Sequence, residues 1–337
     1  MQAQILVPLD GSPRSAAILP LAIPLARAAG CGLTLVQALG LDTGTAMVGW
    51  PLPAEAIDDR QQSIRLAVAD ALAVTAQRLE RPGWPVQTAA LDGDPVRAIL
   101  DYVADHPEVQ LIALATHGRR GVNRWIFGSV AEEILHQAPV PVVLLRLPAG
   151  ALPAGPEPVL RTIAVPLDGS AFAESALDQA QTLAQATGAR LVLLTARPSL
   201  DEASLLTNEI PLWVQQQQQL ETDRLVRYQE NLAARLAAQG VKVGTQIGDG
   251  RAADVILHLS AESQADLIVM ATHGRTGFQR LRLGSVALEV VERATPPVFL
   301  VRGPHDTPPA AALAAADAAP AGHVPGRVDT ASAGTHS

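Results

Sequence analysis

The sequence predicts an α/β fold built twice, and three observations carry that prediction. Short runs of Val, Ile, Leu and Ala alternate with longer amphipathic stretches along the chain, which implies parallel strands joined by right-handed crossover helices. The chain also repeats itself. Ile163–Ser170 restates Ile5–Ser12 with one change in eight, and residues 271–302 match residues 115–146 at 17 of 32 positions without a gap. Duplication on this scale is a fold-level signal. Finally, 48% of residues are hydrophobic but only 3% aromatic and 17% charged, a composition for buried strands under Ala-rich helices. With 337 residues the chain exceeds one ordinary domain.

Each element follows from its residues. Ile5–Leu9 is an apolar strand ended by Asp10-Gly11-Ser12, which is turn and cap chemistry. Ser12-Pro13 is expected to cap and open a helix reaching Ala29, although Pro20 and Pro24 each remove a helical hydrogen bond and should kink or break it. Gly30 and Gly32 stop that helix, and Leu33–Ala38 is the second strand. Leu39–Pro53 has no clear period and reads as an irregular excursion. Glu55–Arg81 is the longest helical pattern, closed by Pro82-Gly83. Val86–Leu91 is a strand, Asp94–Ala104 a helix, Gln110–Ala115 a strand, Val130–Ala138 a helix and Pro141–Leu147 a fifth strand.

After a Pro- and Gly-rich stretch the unit restarts, and its first helix, Ala171–Thr187, contains no proline. The polar run Gln215–Gln219 reads as the surface of a long second helix. The expected organisation is a first domain over residues 1–147, a linker over 148–160, a second domain over 161–302 and a disordered Ala- and Pro-rich tail over 303–337.

Composition also excludes function classes. A formal net charge of −8 repels nucleic-acid phosphates, and the scarcity of aromatics leaves no base-stacking platform. Cys31 is the only cysteine, so no intramolecular disulfide and no multi-cysteine zinc site can form. No apolar run reaches the ~20 residues of a membrane span, and the N-terminus lacks signal-peptide character. A cytoplasmic protein is expected.

The stretch that organises each repeat lies between the fourth strand and the next helix. Ala115-Thr116-His117-Gly118 leads through nine residues to Gly128-Ser129, and Ala271-Thr272-His273-Gly274 leads through nine to Gly284-Ser285. Glycines let backbone amides approach a bound group closely, and a helix start offers unpaired N–H groups and the positive end of a dipole. Such a loop suits an anion, phosphate above all.

Val-Pro-Leu-Asp-Gly-Ser on the first strand, with Ala-Thr-His-Gly-x9-Gly-Ser after the fourth, resembles the universal stress protein family in both repeats. The resemblance implies two tandem Rossmann-like (adenine nucleotide alpha-hydrolase-like) domains, each a five-stranded parallel sheet of order 3-2-1-4-5. It implies that they pair through their fifth strands as the homodimer of single-domain members does, with further self-association open. It also implies ATP, with ADP or AMP as variants, together with Mg²⁺, in a stress-response sensor or regulator whose protein partner is unknown. By similarity Pro8, Leu9, Asp10 and Ala38, with Pro166, Leu167, Asp168 and Ala196, would border adenine and ribose. Thr116, His117, Gly118, Gly128, Ser129 and Val130, with Thr272, His273, Gly274, Gly284, Ser285 and Val286, would hold ribose and phosphates. The family's nucleotide-binding members carry Gly-x2-Gly-x9-Gly-Ser/Thr, and here Ala115 and Ala271 replace the first glycine.

Each residue also has a plainer role. Ser129 and Ser285 could simply cap helices, and Asp10 and Asp168 could cap the first helix of each repeat. His117 and His273 have no acidic partner nearby in sequence and read as loop-orienting rather than catalytic. Arg119, Arg120, Arg124, Arg275 and Arg280 are either phosphate donors or solvated loop residues. Gly248-Asp-Gly250-Arg-Ala-Ala253 reads as a turn. There is no Walker A motif, Lys242 is the only lysine, and neither a nucleophile elbow nor a His-x3-His metal pair is present. The sequence therefore describes a binding site without an evident reaction. Two alternatives stay open: slow ATP hydrolysis in the same pocket, or a scaffold that has lost nucleotide binding through Ala115 and Ala271.

Overall fold

The computed structural model describes residues 2–40, 54–81, 84–117, 128–147, 158–197, 212–272 and 283–302. The expected excursion beyond Gly40, the Pro82-Gly83 stop, most of the linker, the tail and both motif loops with their arginines lie outside the described residues. The first half runs β1 (Gln4–Leu9), a 3-10 turn (Ser15–Ile18), α1 (Leu19–Ala28), β2 (Gly32–Leu39), α2 (Ala54–Leu79), β3 (Val86–Asp92), α3 (Pro95–Asp105), β4 (Val109–His117), α4 (Ser129–Gln137) and β5 (Val142–Leu147). The second half runs β6 (Thr162–Pro166), α5 (Ala171–Thr187), β7 (Arg190–Arg197), α6 (Leu212–Ala238), β8 (Lys242–Asp249), α7 (Ala252–Glu262), β9 (Leu267–Ala271), α8 (Ser285–Arg293) and β10 (Val298–Val301).

All ten strands form one sheet in the order β3-β2-β1-β4-β5-β10-β9-β6-β7-β8. Each domain contributes the order 3-2-1-4-5, parallel throughout. The domains join where β5 and β10 pair antiparallel, with Phe299 opposite Val143 and Leu300 opposite Val142. One face of the sheet buries α1, α2, α5 and α6 through residues such as Leu25, Leu72, Leu183 and Leu236. The opposite face buries α3, α4, α7 and α8 through Ile99, Ile134, Ile256 and Val290. Both cores run across the junction and consist mainly of Leu, Val, Ile and Ala.

The topological switch point is opened by a proline. Pro8 and Pro166 lie in central strands, where a residue without N–H is unusual. Leu167 donates its amide to the Leu194 carbonyl on β7 at 2.8 Å, so the alternate backbone position, Pro166, faces β9. The β6–β9 ladder accordingly ends at Ala164 opposite Ile268, and the β1–β4 ladder ends at Leu6 opposite Ile112. The β1–β2 ladder continues to Leu9 opposite Gln37. Thus β1 parts from β4, and β6 from β9, at their carboxyl ends, where open α/β sheets bind ligands.

Three expectations need correction. Ser12 does not open an α-helix: it holds a tight turn in which its Oγ accepts from the Ser15 amide at 3.2 Å, a 3-10 turn follows, and α1 begins only at Leu19. Pro20 then sits in the first turn, where its missing N–H costs nothing, whereas Pro24 lies inside α1 and leaves the Pro20 carbonyl without its intrahelical N–H donor. The fourth strand runs two residues past Ala115, so His117 ends a strand paired with Leu147 rather than standing in a sharp turn. Gly128 and Gly284, not the serines, are the N-caps. Ala171–Thr187, by contrast, is helical as expected and is capped by Ser170, which accepts from the Ala173 amide at 3.1 Å.

The repeats keep one charge pair by different means. Asp92, at the end of β3, pairs with Arg65 on α2, while its register opposite on β2 is Leu39. Asp249, in the same place on β8, pairs with Arg197 on β7 itself. The Arg197 guanidinium also bonds the hydroxyl of Thr222 on α6.

Candidate functional site

In the second domain a cleft of about 260 Å³ opens where β6 and β9 separate. Its floor is the strand ends Pro166, Leu167 and Asp168 on β6, Leu194 and Ala196 on β7, and Met270, Ala271 and Thr272 on β9. Ala252 and Ile256, one turn apart on α7, form one wall, and Gly284, Ser285, Val286 and Ala287 at the start of α8 form the other. The lining is mostly apolar and includes one carboxylate, Asp168, the hydroxyl-bearing Thr272 and Ser285, and the start of α8. That mixture suits an apolar ring with polar or anionic substituents.

The polar groups are positioned by short-range bonds. Asp168 Oδ1 accepts from the Ser170 amide at 3.0 Å and the Ser170 hydroxyl at 2.6 Å, which points the carboxylate back across the end of β6. Thr272 anchors the edge of the motif loop: its amide donates to the Val301 carbonyl at 2.9 Å and its carbonyl accepts from the Gly284 amide at 2.8 Å. The Gly284 amide is therefore engaged, which removes it as an anion donor. The amides of Ser285, Val286 and Ala287 have no intrahelical partner, because the first helical bond runs from Leu288 to the Gly284 carbonyl at 2.9 Å. Neither Ser129 nor Ser285 makes a capping bond. Both are exposed first residues of their helices.

The first domain brings together the corresponding set. Pro8 and Leu9 are buried at the end of β1, Asp10 is exposed beyond them, and Ala38 is half-buried at the end of β2. Asp10 Oδ1 accepts from the Ser12 amide at 2.9 Å, and the Asp10 amide donates to the Ser15 hydroxyl at 3.1 Å. Partial burial pushes the Asp10 carboxyl pKa up, but hydrogen bonds from Ser12, Ser15 and nearby amides outweigh it and hold the value below the usual carboxylate range. Thr116, near the end of β4, is buried, and its Oγ1 has no hydrogen-bond partner among the described residues. Gly128 has φ −61°, which any residue adopts, and a Cβ there would meet nothing within 4 Å. Neither backbone strain nor crowding by the described residues accounts for the glycine. Gly118, His273 and Gly274 lie outside the described residues, and of His117 only the backbone is described.

The cleft of the second domain, and the corresponding residues of the first, lie at the switch points of a duplicated sheet whose α4 and α8 begin after Gly128 and Gly284. The profile of the Universal stress protein family matches residues 1–146 and again residues 160–302. The chain belongs to the universal stress protein family. This universal stress protein is 29% identical over 305 residues to a universal stress protein of Mycolicibacterium smegmatis, a match that covers 88% of this chain and 96% of the relative. A universal stress protein of Mycobacterium tuberculosis is 27% identical over 302 residues, with the same coverage. Among solved structures, a universal stress protein from Archaeoglobus fulgidus superposes with a TM-score of 0.63 at 22% identity, covering 89% of this chain and 98% of that one. It supports the tandem fold.

Sequence reasoning missed part of the cleft of this universal stress protein. Leu194, Ala252, Ile256, Met270 and Ala287 line it without motif character. The available signal was alternation: Leu194 and Met270 sit two residues before Ala196 and Thr272 and so share their face of the sheet. The expected turn over Gly248–Ala253 needs correction: Gly248 and Asp249 end β8 and Ala252 opens α7, so only Gly250 and Arg251 connect them. Ala115, by the same alternation, packs with the core on the α1 side, away from the face that carries the cleft. Ala271 borders the cleft itself. No helix of the described residues is long and apolar enough to cross a membrane, and no group of three metal-ligating side chains occurs among them.

Proposed function

We propose that this universal stress protein binds an adenine nucleotide, ATP with Mg²⁺, in each domain and acts in the cytoplasm as a stress-response sensor or regulator. Domain limits at residues 1–147 and 161–302, a linker over 148–160 and a free tail over 303–337 belong to the same reading. The observation that carries it is the buried Thr116 hydroxyl at the end of β4, which has no hydrogen-bond partner among the described residues. A buried hydroxyl without a partner costs about 1–3 kcal/mol, and a ligand ribose or phosphate oxygen would satisfy it.

The roles follow from chemistry. The apolar strand ends and Ile256 accept the base, Asp10 and Asp168 accept hydrogen bonds from ribose hydroxyls, and the free amides at the start of α4 and α8 receive phosphate oxygens. A cavity of about 260 Å³ is close to the ~300 Å³ lower bound of small-molecule sites, enough for a nucleoside with its phosphates at the mouth. Mg²⁺ would arrive with the phosphates, whose charge it neutralises. Regulation requires that nucleotide favour one of two states that partners distinguish. Ala115 packs with the core, which favours this reading over a lost site in the first domain, whereas in the second domain Ala271 borders the cleft and the base must pass its methyl.

The test is to purify the protein without added nucleotide, denature it, and identify what it releases by chromatography and mass spectrometry. Close to two equivalents of ATP supports both sites, and one equivalent supports a single live site. No nucleotide, followed by no heat on titration with Mg²⁺ and ATP, would sink the proposal and leave the scaffold.

A further inference from the structure

Two arginines cross the domain junction in mirror fashion. Arg146, on β5 of the first domain, donates Nη1 to the Glu292 carbonyl in the last turn of α8 at 2.7 Å. Arg302, just after β10 of the second domain, donates Nη2 to the Leu135 carbonyl in the last turn of α4 at 3.0 Å. Each guanidinium is half-buried, and each reaches carbonyls that have no intrahelical partner and carry the negative end of the helix dipole. A charge-assisted bond in such a setting is stronger than an exposed ion pair.

We propose that Arg146 and Arg302 are positioning residues acting in trans between domains: each holds the phosphate-facing helix of the other domain's candidate site. The inference rests on the nucleotide reading for the purpose of those helices, though not for the contact itself. The helices α4 and α8 have nine residues each, about 14 Å of rod at 1.5 Å per residue, so the end held by the arginine fixes the direction of the end that faces the cleft. Each arginine is also tied to its own domain's site. Arg146 pairs in register with Thr116, and the residue before Arg302, Val301, accepts the Thr272 amide at 2.9 Å. One side chain thus links the strand end at one cleft to the helix at the other, and the two links run in opposite directions.

The readout is amide exchange at the cleft ends of the two helices: the Glu132 amide, which bonds the Gly128 carbonyl, and the Leu288 amide, which bonds the Gly284 carbonyl. Exchange is followed by NMR on the full chain without ligand, in wild type, Arg302→Met, Arg146→Met and the charge-conserving Arg302→Lys. Arg302→Met should speed exchange at Glu132 roughly tenfold and leave Leu288 unchanged, Arg146→Met should do the reverse, and Arg302→Lys should recover most of the protection. Acceleration confined to the last turn of α4, or equal at both helices, would overturn the proposal, since the first is local fraying and the second a general loss of stability. Calorimetry with Mg²⁺ and ATP on the same proteins separates the two readings. Absence of binding in wild type would remove the nucleotide, while the exchange pattern would still decide the positioning role.

Discussion

Ser129 and Ser285 look like helix caps in the sequence and are not. The caps are Gly128 and Gly284, and the serine hydroxyls take no part in closing their helices. Replacing both by Ala should therefore leave the unfolding free energy within about 0.5 kcal/mol of wild type, the range of uninvolved surface positions, yet weaken ATP binding about 10-fold or more if each hydroxyl bonds a charged phosphate. Calorimetric titration beside thermal melts distinguishes the two effects. Ser170 is the internal contrast: it does cap α5, so Ser170→Ala should cost about 1 kcal/mol in urea unfolding. Gly32 offers a steric test, because a Cβ there would lie 2.9 Å from the Pro85 carbonyl and 2.7 Å from the buried Gln4 side chain. Gly32→Ala should destabilise by about 1–3 kcal/mol, and an unchanged unfolding midpoint would refute the crowding. The lowered Asp10 pKa has a defined sign. Its contribution to stability is present above the ordinary carboxylate pKa of ~3.9 and is lost as pH falls through the lower folded value. The stability gap between wild type and Asp10→Asn should accordingly close on acidification, which melts taken at successively lower pH would show.

Prolines in central strands are what define the site among the elements. If Pro8 and Pro166 hold the ladders open, restoring an amide should let β1 and β6 pair further with β4 and β9. Pro8→Val with Pro166→Val is expected to raise the melting temperature and lower ATP affinity together, and a variant that binds ATP as wild type does would refute this role. How much of this was legible follows from the kind of signal involved. Apolar runs located the five strands of the first repeat to within two residues, because β1, β2, β4 and β5 are largely buried, and only the edge strand β3 departs from that pattern. The helix α5 was legible because Ala171–Thr187 contains no proline, and Ser170 and Gly188, the latter with φ +73°, close its ends. The start of α1 was misread because Ser12-Pro13 satisfies local cap rules that the turn around Asp10 overrides. Of the candidate site, the motif residues were visible and the apolar walls were not. Leu194, Ile256 and Met270 differ from core residues only in where the sheet parts, and that is decided by tertiary register.

At the scale of the whole molecule, the shared sheet makes the two domains one folding unit. Phe299 is 4% exposed and Val143 fully buried, and they face each other across the junction within a core that includes both halves. Calorimetry should show a single cooperative transition, and two separable transitions would contradict the continuity of the core. Phe299→Ala should lower global stability by about 3–5 kcal/mol and broaden or split that transition, because the cavity opens at the place that joins the halves.

That covalent junction also changes what evolution can do with the fold. A symmetric pair of identical chains receives every substitution twice, so any change at one site is imposed on its twin. Fusion lifts that constraint. The salt partner of Asp92 stands on a helix, while the partner of Asp249 has migrated to the neighbouring strand, with a threonine left in the vacated helical place. Each half has thus solved the same electrostatic problem privately, and the two clefts are equally at liberty to drift toward different tasks.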